Sequence, residues 1–296
     1  MTEFYVIATI FNPSRYQSRY RLYEAFCKHV AAAGATLVTI ELAFQDQPFV
    51  VTESKNRHHI QLRSDHHIWY KENLVNVAIR RLPPAWTHAA WLDADIAFAR
   101  PDWLQQTVLK LERHPFVQMF THALDLGPKY EPLKSYEGFA YKRWKTASAL
   151  DGQPGYAWAA RREAFEAVGG LIDWSILGSN DHFMARGMVG AIDPQATRMP
   201  GSNYANKLLA WQDRACEILA GDLGFVETTL LHYWHGRRAD RGYDSRWRIL
   251  VDNDFDPDAD LLTRPSGLLE LAGNKPKLGA DIRAYFQSRN EDNTEL

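Results

Sequence analysis

The N-terminal segment alternates between extended and helical patterns, and this order limits what the chain can fold into. Phe4–Phe11 is an apolar run that ends at an Asn-Pro break, which is typical of a buried strand. Tyr16–Ala33 has apolar residues at helical spacing and is closed by Gly34, and Thr36–Phe44 is a second apolar run. A strand, a helix and a strand in this order pack as a parallel pair with a right-handed crossover. We therefore expect an α/β protein.

The rest of the 296 residues continues this alternation. A helix is predicted at Trp69–Leu82, where two prolines stop it, and a buried strand follows at 87–92. Residues 52–67 are predicted to be a loop or short-strand region, and 125–156 a long irregular segment. Further helices are predicted at Asp102–His114, before Gly169, at Asp181–Gly187 and Asn203–Ile218, and strands at Phe116–His122 and Phe225–Tyr233. This pattern predicts one α/β domain with a long insertion and a C-terminal extension.

Two carboxylates, Asp93 and Asp95, end the buried strand at 87–92. They alternate with Leu92, Ala94 and Ile96, so on extended backbone both carboxylates leave the same side. At about 4 Å and an effective dielectric near 20 their repulsion is roughly 4 kcal/mol, which a divalent cation reverses. Carboxylate oxygens suit Mg²⁺ or Mn²⁺, ions that neutralise a departing diphosphate. The alternative is a capped strand end with two exposed acids.

A second series of alternating acids lies near the end of the chain. Its members are Asp252, Asp254, Asp256, Asp258 and Asp260. The series begins like a calcium-binding loop, but Pro257 and Thr263 stand where that loop requires glycine and glutamate. We therefore expect a solvated turn. Asp93 and Asp95 differ because they follow an apolar strand, and open α/β sheets bind ligands beyond the carboxyl ends of their strands.

Composition narrows the class of protein. The chain is 46% hydrophobic and 24% charged, as folded soluble domains are, and its net charge of −2 gives no general attraction to nucleic acid. Cys27 and Cys216, the only cysteines, predict reduced thiols in a cytoplasmic protein, or in the host cytoplasm if the chain is phage-encoded. No apolar run reaches the length of a membrane span, and the first residues do not resemble a signal peptide.

Other polar and aromatic side chains have both a functional and a structural interpretation. Asp181 could act as a general base, and its structural alternative is the N-cap of a helix; both roles can hold together. His232 and His235 are three residues apart, which on extended chain puts them on opposite faces, so we expect only one to bind metal and slightly favour His235. Trp158 and Tyr156 either stack on an acceptor or belong to the core.

Basic residues offer candidate phosphate ligands. Five arginines follow the histidines, and they suit phosphate because guanidinium groups match its oxygens; a solvated loop is the alternative. These are Arg237, Arg238, Arg241, Arg246 and Arg248. Lys71, Arg15 and Arg19 are weaker candidates, for which a surface role is the alternative. Two histidine pairs within 58–67 have neither cysteines nor helical spacing around them, so we expect no zinc site there.

Several motifs occur in an order that resembles the GT-A glycosyltransferases. They are Lys71-Glu-Asn-Leu-x-Asn76, Trp91-Leu-Asp-Ala-Asp95, Gly155-Tyr-Ala-Trp-Ala-Ala-Arg-Arg-Glu-x-Phe165, Gly169-Gly-Leu171, Gly178-Ser-Asn-Asp181 and His232-Tyr-Trp-His-Gly236. The likeness covers roughly residues 4–250. The chain most resembles family-2-like enzymes with a galactosyltransferase-type C-terminal segment. It also resembles glycosyltransferases inferred in phage and bacterial genomes.

This resemblance implies a Rossmann-like fold, with a mostly parallel central sheet flanked by helices. Residues 1–250 would be a single GT-A-like domain, with 1–100 as the nucleotide-sugar half and 101–250 as the acceptor half. Residues 251–296 would be a C-terminal extension.

The resemblance also implies roles for individual residues. Asp95 would bind the metal directly, Asp93 would face the ribose or the ion through water, and His232 or His235 would complete the metal shell. Asp181 would contact the acceptor or act as base. Related chains have Glu-Asp or Asp-Asp there, whereas Asn180 precedes Asp181 in this sequence.

The implied activity is metal-dependent transfer of a sugar from a nucleotide-diphosphate sugar, with UDP favoured, to an acceptor hydroxyl. The acceptor would be a glycan, a small molecule or a hydroxymethylated base in phage DNA. One alternative is a nucleotidyltransferase, against which stands the lack of a glycine-rich loop after the first strand. The other is a non-catalytic module that binds sugar or nucleic acid.

Overall fold

The computed structural model describes residues 3–193, 201–243 and 245–296. The strands are β1 (Phe4–Phe11), β2 (Thr36–Phe44), β3 (His59–Ser64), β4 (His88–Leu92), β5 (Ile96–Phe98), β6 (Phe116–Gln118), β7 (His122–Leu126), β8 (Pro132–Glu137), β9 (Ala157–Arg161), β10 (Leu223–Phe225), β11 (Thr229–His232), β12 (Leu261–Thr263) and β13 (Leu269–Leu271). The helices are α1 (Gln17–Ala32), α2 (Lys71–Ile79), α3 (Trp103–Leu111), α4 (Phe139–Lys145), α5 (Arg162–Ala167), α6 (Asn180–Gly187), α7 (Gly201–Leu219), α8 (Arg248–Val251) and α9 (Pro276–Ser288).

The central sheet has seven strands in the order β10-β6-β9-β4-β1-β2-β3. β1 pairs in parallel with both β2 and β4, β2 with β3, and β6 with β10. Only β9 among these strands runs antiparallel to its neighbours, β4 and β6. The expected α/β class with a mostly parallel central sheet is confirmed, and it begins with the predicted β1-α1-β2 unit.

Helices cover both faces of this sheet. Along β1, Tyr5 and Ile7 face one apolar cluster, whereas Val6 and Ala8 face the other, as the two-residue period of a strand requires. One side of α1 packs on the second cluster. Side chains of α2, α7 and α9 pack in the first, so the C-terminal helix shares the main core.

A second sheet has four strands in the order β5-β11-β7-β8. Its strands alternate in sequence with strands of the central sheet, and it positions the site described below. β11 runs antiparallel to β5 and parallel to β7. Its last residue, His232, is level with Ile96 on one side and with Asp125 on the other. A separate β12–β13 pair lies in the C-terminal segment.

Two predicted strands are each divided between the two sheets, so their prediction as single strands is wrong. Phe116–His122 contains β6 and the start of β7, and Phe225–Tyr233 contains the end of β10 and all of β11. Met119, Phe120 and Val226, which lie at these crossings, are completely buried. Buried apolar residues therefore lie at each crossing, although Glu227 is exposed, and the apolar pattern does not show that the chain changes sheets.

Two further expectations need correction. The segment 125–156 was expected to be irregular, but it contains β8 and α4; most of β8 is exposed, so it has no apolar pattern. The tail acids do not form a solvated turn as a whole, because Asp260 is buried and accepts hydrogen bonds from Lys275 at 2.8 Å and Asn274 at 2.7 Å. Within the described ranges, no helix is long and apolar enough to cross a membrane.

Candidate active site

A cavity of about 540 Å³ opens beyond the carboxyl ends of β1 and β4. The turn from β4 to β5 places Asp93 and Asp95 on its wall, and the end of β11 adds His232. The first residue of α2, Lys71, and the first turn of α6, with Asp181, lie on the wall as well. Residues that are distant in sequence thus meet at the sheet edge where α/β proteins bind ligands.

Asp95, His232 and His235 bring their ligand atoms together at one side of the cavity. Nε2 of His235 lies 3.2 Å from Oδ2 of Asp95, and Nε2 of His232 lies 3.9 Å from Oδ1. The two Nε2 atoms are 3.3 Å apart. All three side chains are buried.

His235 reaches the same place as His232 because the strand ends between them. β11 stops at His232, and the Tyr233 N–H donates to the Asp95 carbonyl oxygen at 2.9 Å. Gly236 then turns the chain with a φ of +85°, and a Cβ at this position would lie 2.7 Å from a backbone oxygen of the C-terminal segment. The expectation that only one histidine can face the site assumed extended chain, and it is wrong for this reason.

Asp125, at the end of β7, orients His232. Its Oδ1 accepts a hydrogen bond from Nδ1 of His232 at 2.9 Å and another from the Tyr156 hydroxyl at 3.0 Å. Burial acts to raise the pKa of Asp125, but the hydrogen bonds from His232 and Tyr156 outweigh it and lower the pKa. With Nδ1 donating, Nε2 of His232 keeps its lone pair for a ligand in the cavity. Sequence reasoning missed Asp125, which lies in no motif.

The donor set fits a divalent metal ion. Within the described part of the chain, the buried Oδ1 of Asp95 has no hydrogen-bond partner. Two atoms about 2.1 Å from one ion, at 90° to 109°, lie roughly 3.0–3.4 Å apart, which matches the two Nε2 atoms. Burial, and then the nearby Arg241, lower the pKa of His235 well below its usual value, so its imidazole is neutral, as a metal ligand is. Asp125 behind His232 is the usual outer partner of such a histidine.

Asp93 has a different partner. The chain turns at Ala94 instead of continuing as extended strand, and the Asp93 carboxylate forms an ion pair with Lys71. Burial raises the pKa of Asp93, and Lys71 opposes this shift. Burial would lower the pKa of Lys71, but Asp93, Glu72 and Asp181 outweigh it and raise the pKa. Asp93 is therefore outside the group formed by Asp95 and the histidines.

Asp181 lies half-buried on the cavity wall. Its Oδ1 accepts a hydrogen bond from the His182 N–H at 2.8 Å. A Cβ at position 155 would lie 2.5 Å from its Oδ2, so Gly155 leaves the space that this carboxylate occupies. The N-cap of α6 is Ser179, and the alternative interpretation of Asp181 as N-cap is wrong.

Asn180, where related chains carry an acid, has an internal role. Its Nδ2 donates to Oε2 of Glu72 at 2.8 Å and to the Ile172 carbonyl oxygen at 2.9 Å. Burial raises the pKa of Glu72 to about 8, so this carboxyl is protonated at neutral pH. Sequence reasoning missed Glu72 as a residue of the cavity wall.

The arginine-rich segment divides between cavity and surface. Arg241 and Arg246 are buried and line the cavity. Arg238 also lines it, although its side chain is 59% exposed. Arg237 and Arg248 are exposed and lie outside the cavity lining.

Of the two N-terminal candidates for phosphate binding, Arg15 and Arg19, only one lines the cavity. Arg15 is exposed in the turn after β1 and does not line the cavity, whereas Arg19 does. Arg19 forms an ion pair with Glu291, which also accepts a hydrogen bond from Arg289, another residue of the cavity wall. Burial opposes ionisation of Glu291, but Arg19 and Arg289 hold its pKa at about 2. Sequence reasoning missed Glu291 and Arg289, because nothing in the tail indicates this contact.

The two aromatic residues proposed to stack on an acceptor, Trp158 and Tyr156, pack against other protein groups in this structure. Trp158 is buried in β9, outside the lining of the main cavity, and its Nε1 donates to the Pro154 carbonyl oxygen at 2.7 Å. Tyr156 lines the cavity, but its ring stacks on His232 with the centroids 4.7 Å apart. Tyr156 thus positions His232 in this structure.

No family model matches the chain, and no curated protein matches its sequence. Solved structures that resemble it include the catalytic domain of Drosophila β1,4-galactosyltransferase 7 with xylobiose, at a TM-score of 0.36 and 11% identity over 62% of this chain. S. aureus TarS (residues 1–349) with UDP-GlcNAc has a TM-score of 0.45 and 8% identity over 80% of this chain. The 4-diphosphocytidyl-2C-methyl-D-erythritol synthase of Anaerococcus prevotii has a TM-score of 0.38 and 11% identity over 77% of this chain.

The chain spans 60% of the length of the galactosyltransferase domain and of TarS, and 87% of the synthase. The first of these proteins is described as a galactosyltransferase, and the TarS structure contains UDP-GlcNAc. With every TM-score below 0.5, these likenesses carry no argument about activity, donor or acceptor.

Proposed function

We propose that the protein is a metal-dependent glycosyltransferase that moves a sugar from a nucleotide-diphosphate sugar to an acceptor hydroxyl. One observation carries this proposal: the ligand atoms of Asp95, His232 and His235 converge at the wall of a large cavity beyond the parallel strands. Open α/β sheets bind nucleotides in such crevices. Lys71 and Arg241 add positive charge to the same cavity, as a diphosphate requires.

Asp95, His232 and His235 would hold Mn²⁺ or Mg²⁺. When bound, the ion would offset the negative charge that develops on the departing diphosphate. Asp125 keeps His232 in the tautomer that can coordinate, because it accepts a hydrogen bond from the Nδ1–H group.

The remaining donor contacts would come from charged residues around this group. We assign Asp93 to the ribose hydroxyls and Lys71 to a phosphate, since both line the cavity next to Asp95. Arg238, at the exposed rim, would reach the outer part of the donor. A UDP-linked sugar is the donor that we test first. Arg15, outside the cavity, has no role in this scheme.

Asp181 would be the general base. As the acceptor oxygen bonds to the anomeric carbon, Asp181 takes the hydroxyl proton, and the bond from that carbon to the diphosphate breaks. Glu72 is less suited to this role at neutral pH, because burial raises its pKa to about 8. The acceptor hydroxyl would belong to a glycan, a small molecule or a hydroxymethylated base in DNA.

The test is turnover of nucleotide sugars. The protein is incubated with UDP-, GDP- and dTDP-sugars and Mn²⁺, and the released nucleoside diphosphate is measured with and without mixed acceptors. We expect metal-dependent release from one donor, and a loss of at least about 100-fold in Asp95→Asn because a charged ligand is removed.

Asp252→Asn is the matched control, since it changes an exposed aspartate of the other Asp-x-Asp series. It should keep full turnover. If no donor is bound or cleaved, or if Asp95→Asn remains as active as the control, the glycosyltransferase proposal is wrong.

A further inference from the structure

Arg246 is a buried cation with neutral partners. Its side chain is 8% exposed and lines the cavity. Its guanidinium donates to the Ser179 hydroxyl and to the Tyr285 hydroxyl, both at 3.2 Å, and lies 4.9 Å from the centre of the Tyr243 ring. Across residues 3–193, 201–243 and 245–296, no carboxylate forms an ion pair with it within 4.0 Å. A buried charge is costly unless it is paired, and because its partners among the described residues are neutral, a ligand anion would stabilise this arrangement.

The turn before the proposed base is shaped around this guanidinium. Ser179 has a left-handed φ of +74°, and it lies two residues before Asp181. A Cβ at Gly178, where φ is +85°, would lie 3.0 Å from Nη2 of Arg246. The contact therefore places the Arg246 charge on the Asp181 side of the cavity.

A second arginine and an indole complete this wall. Trp69 lines the cavity, and the guanidinium carbons of Arg246 and Arg289 lie 5.9 Å and 5.3 Å from its ring centre. Arg289 shares the single carboxylate of Glu291 with Arg19. Among the described residues of this wall, there are thus more arginines than carboxylates that form ion pairs with them.

We propose that Arg246, with Arg289 and Trp69, binds an anionic group of the acceptor, either a phosphate or a carboxylate. This inference rests on the proposed function, because that function assigns the Asp181 side of the cavity to the acceptor. Among the described residues, Ser179 and Tyr285 accept from two of the five guanidinium N–H groups of Arg246, which fixes the plane of the guanidinium and leaves donors that can bind an anion.

The diphosphate of the donor is the other anion that could meet Arg246. The contacts favour the acceptor: Arg246 touches the segment that carries Asp181, whereas Arg241 touches the Gly236 carbonyl oxygen, next to His235. The two sources differ in one measurable respect. An anion in the acceptor site can bind at the same time as UDP. An anion that occupies the position of the donor diphosphate competes with UDP.

The first experiment titrates inorganic phosphate into the protein saturated with UDP and Mg²⁺, by calorimetry. We expect phosphate to bind the UDP-loaded protein, and Arg246→Gln to weaken this binding about tenfold or more while UDP affinity stays within about twofold. Arg246→Lys, which keeps the charge but not the planar fork, should lie between the two. Arg248→Gln, on an exposed arginine of the same segment, is the control and should bind phosphate like the wild type.

The second experiment compares transfer to acceptors that differ by one phosphate, such as glucose and glucose 6-phosphate, or 5-hydroxymethyldeoxycytidine and its 5′-monophosphate. The wild type should prefer the phosphorylated member of the pair that it accepts, and Arg246→Gln should lose this preference.

Three results would overturn the inference. Phosphate may fail to bind the UDP-loaded wild type, it may compete with UDP, or Arg246→Gln may weaken UDP binding as strongly as phosphate binding. The first two need only the wild type, so they decide the matter even if Arg246→Gln does not fold. If the protein binds neither UDP nor any nucleotide sugar, the proposed function fails first, and phosphate binding by the unloaded protein then tests the anion site alone.

Discussion

Among single residues, Asp125 has the most specific role in the candidate site. It accepts hydrogen bonds from Nδ1 of His232 and from the hydroxyl of Tyr156, whose ring stacks on the same imidazole. These contacts fix both the tautomer and the plane of His232. Asp125 would therefore control metal affinity without touching the metal.

Asp125→Asn keeps the size of this side chain and removes its charge. We expect Mn²⁺ affinity to fall by about 10- to 100-fold, as it does when the outer partner of a ligating histidine is changed. Direct Mn²⁺ titration followed by electron paramagnetic resonance measures this without any substrate.

Asp151→Asn, which changes an exposed aspartate, is the control and should bind Mn²⁺ like the wild type. Unchanged Mn²⁺ affinity in Asp125→Asn would show that His232 does not bind the ion or does not depend on this carboxylate.

Among the elements, helix α2 joins the cavity to the core. The first residue of α2 is Lys71, which lines the cavity. Asn76, in the next turn of the helix, hydrogen-bonds α2 to the turn that follows α5. Nδ2 of Asn76 donates to the Leu171 carbonyl oxygen, and its Oδ1 accepts from the Leu171 N–H, both at 2.9 Å. Gly170, with φ at +77°, allows the close approach, since a Cβ there would lie 2.8 Å from the same Oδ1.

Asn76→Ala leaves both buried backbone groups of Leu171 without this partner. Each such group costs roughly 1–3 kcal/mol, so we expect the free energy of unfolding to fall by about 2–6 kcal/mol. Urea unfolding measures the change, and Gln105→Ala, on the exposed side of α3, is the control. A loss below about 1 kcal/mol would mean that water or another group replaces the amide.

At the scale of the whole molecule, the C-terminal segment closes onto the N-terminal helix. Asp292 accepts hydrogen bonds from the N–H groups of Gln17 and Ser18, at 2.9 and 2.7 Å, and so satisfies the free end of α1. Glu291 joins Arg19 to Arg289. The division into residues 1–250 and an extension at 251–296 stays a prediction, and the structure adds that this extension supplies Arg289 to the cavity wall.

The depressed pKa of Glu291 predicts how stability depends on pH. Arg19 and Arg289 hold this pKa at about 2, against an ordinary value of 4.5, so the folded state binds the proton less readily than the unfolded state. The resulting stabilisation, about 3 kcal/mol, is complete above pH 4.5 and is lost as the pH falls towards 2.

Glu291→Gln should therefore be less stable than the wild type by about 3 kcal/mol at pH 7, and the difference should shrink towards pH 3. Urea unfolding at pH 7, 4.5 and 3 measures this, with Glu295→Gln, on an exposed glutamate, as control. A difference that stays constant between pH 7 and 3 would contradict the assignment.

Short-range patterns predicted most of the elements of this fold. The β1-α1-β2 unit, the strand before Asp93 and the helices α2, α3 and α7 follow from apolar spacing and from the residues that end each element. The exposed strand β8 was not predictable, because its side chains show no buried face. The crossings between the two sheets were not predictable either, since buried apolar residues such as Phe120 and Val226 lie at each of them.

The sequence by itself determined the α/β class, the position of Asp95 just beyond a buried strand, and the candidate set of His232, His235 and Asp181. These depend on contacts within a few residues, which side-chain period and chain direction control. Only the tertiary structure decided that both histidines face Asp95, that Asp125 orients one of them, and that Glu291 pairs with Arg19. Those contacts join segments up to 272 residues apart, and such pairings depend on how the sheets and the C-terminal segment pack, which local patterns do not specify.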